Sequence, residues 1–418
     1  MMGMRRLFQH GSNLAAFLLP GVALWVPSGY SLGAALILLL SLASVSLWWR
    51  RSVPSSAWWL SLAVGGMAAL WLMDVGSAWG WGSMDRPAKY LLALPCIFFL
   101  MAFPPRTLWL WMGVAVGAIG SGILGILQAG VWSVPRVTGF TNAIQYGNLS
   151  MLLAMMSGLL LIAQWRNWRW WQRVLFANAI VLGIAASVLS QARGGWLALM
   201  LLLPVGAWLL ARTTGRRRAY VGLGALALAA AVLSQLPAVE QRVVEAKQEV
   251  QSYQQRGDSR TSVGQRLAHW GLAWQMGWDR PLTGWGRGGY EQEKARRVAA
   301  GQAPAIVLEF GHVHNEVLDL FAKRGLPGVG LLFIFYGIPL VLFWPSDRRI
   351  RNGGGGIDRE ALSLCLVGVS LPLSYASFGL TQVFLAHNSG NMFYLFMCPI
   401  VLAALEARRG QLSAAPAG

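Results

Sequence analysis

Three short polar motifs in an otherwise apolar chain hold the residue types that chemistry needs. They are Ser190-Gln191-Ala192-Arg193-Gly194-Gly195-Trp196, Thr261-Ser262-Val263-Gly264-Gln265-Arg266 and His312-Val313-His314-Asn315. A guanidinium is a rigid fork of donors that meets phosphate oxygens two at a time, so two arginines facing one site can clamp a pyrophosphate. A neutral histidine beside them can take a proton from an acceptor hydroxyl, because its pKa lies near working pH. The His-x-His spacing also suits a metal pair, or two hydrogen-bonded structural histidines. A zinc site wants three or four ligands, and the other histidines are His10, His269 and His387.

The elements that must position these motifs are membrane helices. The chain has 418 residues, 56% hydrophobic and only 12% charged, whereas a soluble domain carries about 25% charged residues. Apolar runs long enough to cross the hydrocarbon, roughly 20 residues each, occur about twelve times. They fall at 12–28, 32–49, 56–73, 88–103, 108–130, 148–164, 174–190, 195–211, 219–236, 326–344, 361–379 and 388–406. The expected fold is therefore an all-α integral membrane protein, a single polytopic domain over residues 1–418. Arg5 and Arg6 precede the first run without a convincing cleavage site, and a second run follows at once, so the first helix reads as uncleaved. Cys96, Cys365 and Cys398 lie inside apolar runs and read as packing residues.

The net charge of +18 could suggest nucleic acid, but its distribution argues for a membrane instead. Counting short loops on alternate sides puts eighteen Lys and Arg on one side and four on the other. By the positive-inside rule, both termini are cytoplasmic and the long polar stretch 237–325, between the ninth and tenth spans, faces outward. The four outward exceptions are Arg86, Lys89, Arg136 and Arg193. Each is either an anion ligand or a cation snorkelling to headgroups, with Asp85 a ready partner for Arg86 and Lys89.

The outward stretch should carry short helices of its own. Ala238 to Gln255 has the spacing of an amphipathic interfacial helix. Gln265 to Trp278 reads as a helix with Trp270, Trp274 and Trp278 near one face, as in an interfacial aromatic belt. Pro281 to Gly286 is a turn, and its glycines are weak evidence for phosphate binding. Asn315 reads as an N-cap, and Glu316 to Arg324 as a short helix closed by Gly325.

Taken together, twelve spans, the outer loop, the Arg-Gly pair at 193–194, Arg266, Pro-x-x-Gly-x-Gly at 281–286, Gly139-Phe140-Thr141-Asn142 and His312-Val313-His314-Asn315 resemble the O-antigen ligase/polymerase superfamily. Bacterial O-antigen ligases fit best. The resemblance implies a GT-C-like, inverting, metal-independent glycosyltransferase without a cofactor, in the bacterial inner membrane with its active site periplasmic. It implies transfer of O-antigen from undecaprenyl pyrophosphate to lipid A–core oligosaccharide, a step of lipopolysaccharide biosynthesis. On the matching positions, Arg193 and Arg266 would hold the pyrophosphate and His314 would be the base, followed by Asn315. Ala192 departs from the Ser frequent in the family, which puts one hydroxyl contact in doubt. Charge placement adds Arg136, Arg86 and Lys89 as further substrate contacts, with His312 and Asn315 beside the base. The alternatives are an O-antigen polymerase and a lipid-linked-sugar transporter, with a protein O-oligosaccharyltransferase more distant.

Overall fold

The computed structural model describes residues 2–75, 81–214 and 237–414. In hydrocarbon no water can satisfy a free backbone N–H or C=O, so spanning segments must be helical. The helices follow that rule: α1 (Met2–Gly21), α2 (Gly29–Ala43), α3 (Val45–Trp48), α4 (Ser55–Val75), α5 (Trp81–Ala102), α6 (Thr107–Gly130), α7 (Ala143–Gln164), α8 (Trp170–Leu189) and α9 (Gly194–Thr214). Beyond the expected span 219–236, which lies outside the described residues, come α10 (Pro237–Arg256), α11 (Ser262–Asp279) and α12 (Gly286–Ala299). The chain closes with α13 (Glu316–Phe343), α14 (Asp347–Ile350), α15 (Arg359–Gly379) and α16 (Asn388–Ala414).

Among the described residues, eight helices are long and apolar enough to cross a membrane: α4, α6, α7, α8, α9, α13, α15 and α16. The protein is an all-α, multi-pass membrane protein. Three further expected spans look different for identifiable reasons. α1 is 20 residues long, but its first half is polar, and Gln9 and Asn13 hydrogen-bond to the 104–106 turn. The run 32–49 is α2 and one-turn α3, divided at Ser44, whose hydroxyl donates back to the Leu40 carbonyl at 2.7 Å. α5 starts at Trp81 rather than residue 88, and so takes in Asp85, Arg86 and Lys89.

α15 and α16 are the centre of the bundle, each with 89% of its most apolar stretch buried, whereas α8 has only 28%. Large apolar side chains such as Leu62, Met200 and Phe333 point outward, a continuous apolar exterior that suits lipid and not water.

α13 contains the break that shapes the polar end. Gly325 has φ 63 and ψ −162 inside the helix, so 316–324 and 326–343 are separate pieces. The Leu326 N–H donates to the Pro281 carbonyl at 2.7 Å, and the Trp285 N–H to Ala322 at 3.0 Å. A Cβ at Gly284 would come within 2.3 Å of the Arg324 backbone nitrogen. The glycine turn is thus a close backbone contact against the break in α13. A second small core, including Leu272, Met276, Tyr290, Val307, Val313 and Ala322, joins α11 and α12 to the 316–324 piece.

Candidate functional site

The motif His312-Val313-His314-Asn315 is held at both ends. Asn315 caps α13 by accepting the Leu318 N–H at 3.0 Å, and its amide donates to the Leu380 carbonyl at 3.3 Å. Val313 is fully buried, and its N–H donates to Asp319 Oδ1 at 3.1 Å. Between them His314 has φ 56. For a non-glycine residue that left-handed backbone is uncommon and costs energy. The flanking contacts impose it, and it turns the His314 ring out of the line of the helix.

That ring enters a cluster of aromatic groups. His312 lies 4.4 Å away between ring centroids, Phe310 5.0 Å and His269 6.2 Å. Lys294, almost fully buried, holds the loop by donating to the Phe310 carbonyl at 2.8 Å. His387 stands 6.0 Å from His312. Four of the five histidines therefore meet here, although among the described residues no three His, Cys, Asp or Glu side chains are arranged to hold a metal ion.

His314 Nδ1 is 2.6 Å from Gln382 Oε1, and Gln382 Nε2 is 3.0 Å from His387 Nε2. A carboxamide oxygen only accepts, so this orientation puts the proton on His314 Nδ1 and leaves Nε2 as a free lone pair. Burial, with a smaller push from the Arg266 charge, holds the His314 pKa below its usual value, while the Gln382 hydrogen bond acts the other way. Burial also depresses His312 and His269 to about 4, and lowers His387. The cluster is therefore neutral at pH 7, the state in which a base can accept a proton.

Three arginines gather nearby, with Arg266 close enough for its charge to act on His314. Arg136 Nε donates to the Ser190 carbonyl at 3.0 Å, which brings it to the end of α8. Arg193 is exposed at the start of α9, following the turn in which Gln191 has φ 56. Arg266 sits half-buried on the first turns of α11, a helix begun by Thr261, whose hydroxyl accepts the Gly264 N–H at 3.0 Å. Burial makes Arg266 less basic than an ordinary guanidinium, and the charges of Arg193 and Arg136 add to that. Glu249 opposes the effect, but its carboxylate accepts the Val263 N–H at 2.8 Å. Among the described residues neither Arg193 nor Arg266 has a hydrogen-bond or ion-pair partner, whereas Arg136 is held by Ser190. Ala192 is 2% exposed and packs inward.

Arg86 and Lys89 share a cavity wall with His312 and His387. Arg86 lies over the Trp71 ring at 4.4 Å, and Lys89 bonds Asp85 and Asn388 at 2.5 and 2.6 Å. The sequence reading passed over Gln382 and His387, which lie 68 and 73 residues beyond His314 and carry no local motif. It also gave no role to His269, or to Glu316, which accepts the Phe384 and Leu385 N–H groups at 2.7 and 3.1 Å and so fixes the loop bearing Gln382. One signal was available for His387: like Arg193, it stands at an end of an apolar run that the charge count reads as outward. Asn142 of the Gly139–Asn142 motif caps α7 and comes within 3.3 Å of His387 Nδ1.

Residues 179–333 match the family model described as O-antigen ligase. An uncharacterized protein of Haemophilus influenzae is 27% identical over 322 residues, which cover 76% of this chain and 79% of that protein. The family match runs from α8 into α13 and includes Arg193, Arg266 and His314 but not Gln382 or His387.

Proposed function

We propose that this chain, which belongs to the O-antigen ligase superfamily through residues 179–333, moves O-antigen polysaccharide from undecaprenyl pyrophosphate to lipid A–core oligosaccharide. The reaction takes place at the periplasmic face of the inner membrane, with both termini cytoplasmic and the 237–325 segment outward. The observation that carries this reading is the placement of a neutral, oriented histidine near Arg266, which, like Arg193, pairs with no carboxylate among the described residues.

The step follows from those groups. The acceptor sugar hydroxyl gives its proton to His314 Nε2 as its oxygen attacks the anomeric carbon of the donor. The bond from that carbon to the pyrophosphate oxygen breaks, and its electron pair leaves with undecaprenyl pyrophosphate. Arg193 and Arg266, with Arg136 beside them, meet the charge that grows on the leaving group, and the partial burial of Arg266 makes its interaction stronger than in water. Attack opposite the leaving group inverts the anomeric centre. Gln382 keeps the His314 proton on Nδ1, so the correct nitrogen faces the acceptor. Asn315 serves as a helix cap that holds His314 in place. No cofactor is required, because the sugar arrives already activated on lipid.

The test uses the purified protein in detergent with EDTA, lipid-linked O-antigen and lipid A–core acceptor, read by gel shift of the acceptor. A laddered lipopolysaccharide product is the expected result. Longer lipid-linked chains over an unchanged acceptor would overturn the ligase in favour of a polymerase. No change in either substrate would leave a transporter.

A further inference from the structure

A cavity of about 370 Å³ opens beside the histidines, and none of the three pyrophosphate arginines lines it. His312 and His387 form part of its wall. The remaining wall is heavily charged: cations Arg86, Lys89, Arg287, Lys323 and Arg324, against Asp74, Asp85 and Asp319. The three carboxylates are spoken for. Lys89 pairs with Asp85 at 2.5 Å, Lys323 with Asp319 at 2.7 Å, and Arg324 with Asp74. Arg86 and Arg287 are left without a carboxylate among the described residues, and they give the cavity its surplus positive charge. Arg86 is already stacked on Trp71, so its guanidinium is oriented before anything binds. His312 Nδ1 is buried there without a hydrogen-bond partner.

We infer that this cavity, on the transferase reading above, is the acceptor subsite and that it takes an anionic sugar, one bearing a phosphate or a carboxylate. The geometry of an inverting displacement supports the assignment. The nucleophile and the leaving group must stand on opposite faces of the anomeric carbon, so the acceptor belongs beside the base and apart from the pyrophosphate arginines. The cavity meets both conditions: its wall includes His312, whose ring is 4.4 Å from that of His314, and none of those arginines. Its volume is at the small end of the roughly 300–1,000 Å³ of small-molecule sites, so it suits one or two sugar residues and not a chain. A guanidinium pair with no carboxylate selects phosphate or carboxylate, since these accept two parallel hydrogen bonds from one fork.

The experiment measures transfer kinetics for the wild type, Arg287→Gln, Arg86→Gln and the double variant. The acceptors are lipid A–core that is intact, phosphate-stripped or carboxyl-reduced. The expected result for the double variant is an acceptor KM raised at least tenfold, with donor KM unchanged and kcat at saturating acceptor within about threefold. Removing the anion that binds should raise the wild-type KM to the same level and leave the double variant unaffected, and whichever acceptor does so identifies phosphate or carboxylate. Arg86→Lys should restore most of the loss, which separates charge from packing. A rise in donor KM, or equal use of all three acceptors by the wild type, would overturn the assignment. Binding of the same acceptors to the His314→Ala protein reads the cavity without turnover. Anion-dependent binding in a protein whose wild type transfers nothing would sink the ligase reading and keep the subsite. Transfer that ignores the acceptor's anions would do the reverse.

Discussion

The two ends of the helix bundle both carry arginines, and they treat them differently. At the end away from the histidines, Arg408 forms two hydrogen bonds with Asp358, at 3.1 and 2.5 Å, and Arg409 holds Glu406 at 3.0 Å. Arg51, Arg349 and Arg359 donate to carbonyls that close neighbouring helices. These half-buried guanidiniums are satisfied within the protein and tie helices together. At the histidine end Arg266 is equally half-buried, yet the charges of Arg193 and Arg136 act on it and, among the described residues, no carboxylate pairs with it, Glu249 being turned to the Val263 N–H. Drawing like charges together without a counter-ion costs stability. A fold tolerates that where the counter-ion is the substrate. Partner and not residue type thus sets these structural arginines apart from Arg193 and Arg266, which we propose wait for a ligand.

His314→Ala sharpens the contrast most. Loss of a positioned base lowers rates about 100- to 10,000-fold, so transfer should become undetectable in the gel assay while donor binding persists. Arg266→Ala should lower kcat/KM by about 100- to 1,000-fold, as for removal of one donor to a developing anion. Arg408→Ala at the other end should instead lower thermal stability and leave transfer per folded molecule intact. If Arg408→Ala cost as much transfer as Arg266→Ala, the two ends would not differ in kind.

Gln382 gives a finer test through pH. Because burial keeps His314 below its usual pKa, the wild-type kcat should be flat through pH 7 and fall only on acidification. Gln382→Glu places a carboxylate on Nδ1 and should move that acid limb upward by about one unit or more, the size of shift a close opposite charge produces. Gln382→Met should slow transfer without raising the limb. Equal profiles for both variants would mean that Gln382 only packs.

The smallest effect concerns stability. His269 is fully buried and its pKa is depressed to about 4, against about 6.5 in the unfolded chain. Below pH 6.5 the unfolded state binds the proton first. Its share of stability is thus complete above 6.5 and is lost as pH falls towards 4, by at most about 1.4 kcal/mol per pH unit. The Tm of His269→Leu should fall less steeply over that window than that of the wild type.

Much of this was legible in the sequence, and the reason differs from residue to residue. The membrane class and the helices α6 to α9 follow from apolar length alone. Arg193 stands out, with Arg86, Lys89 and Arg136, because cations in short loops read as outward break a charge rule. Arg266 lies in the long stretch and stands out only through its motif and the resemblance, and Asn315 because a helix must be capped. Gln382 and His387 were not legible. They meet His314 only once α13, α15 and α16 pack, and a lone glutamine in a loop has no spacing to announce it. Similarly, the run 32–49 hid the break at Ser44, since a hydroxyl bonding its own helix leaves the average apolarity unchanged.

The most direct test is equilibrium binding of undecaprenyl pyrophosphate to the detergent-solubilised wild type, Arg193→Ala, Arg266→Ala and Arg408→Ala proteins. A Kd weakened about tenfold or more in the first two variants, the scale of losing a charge-assisted hydrogen bond, and unchanged in Arg408→Ala is the expected result. Equal affinity across all four would contradict the assignment of the uncommitted arginines to the donor pyrophosphate.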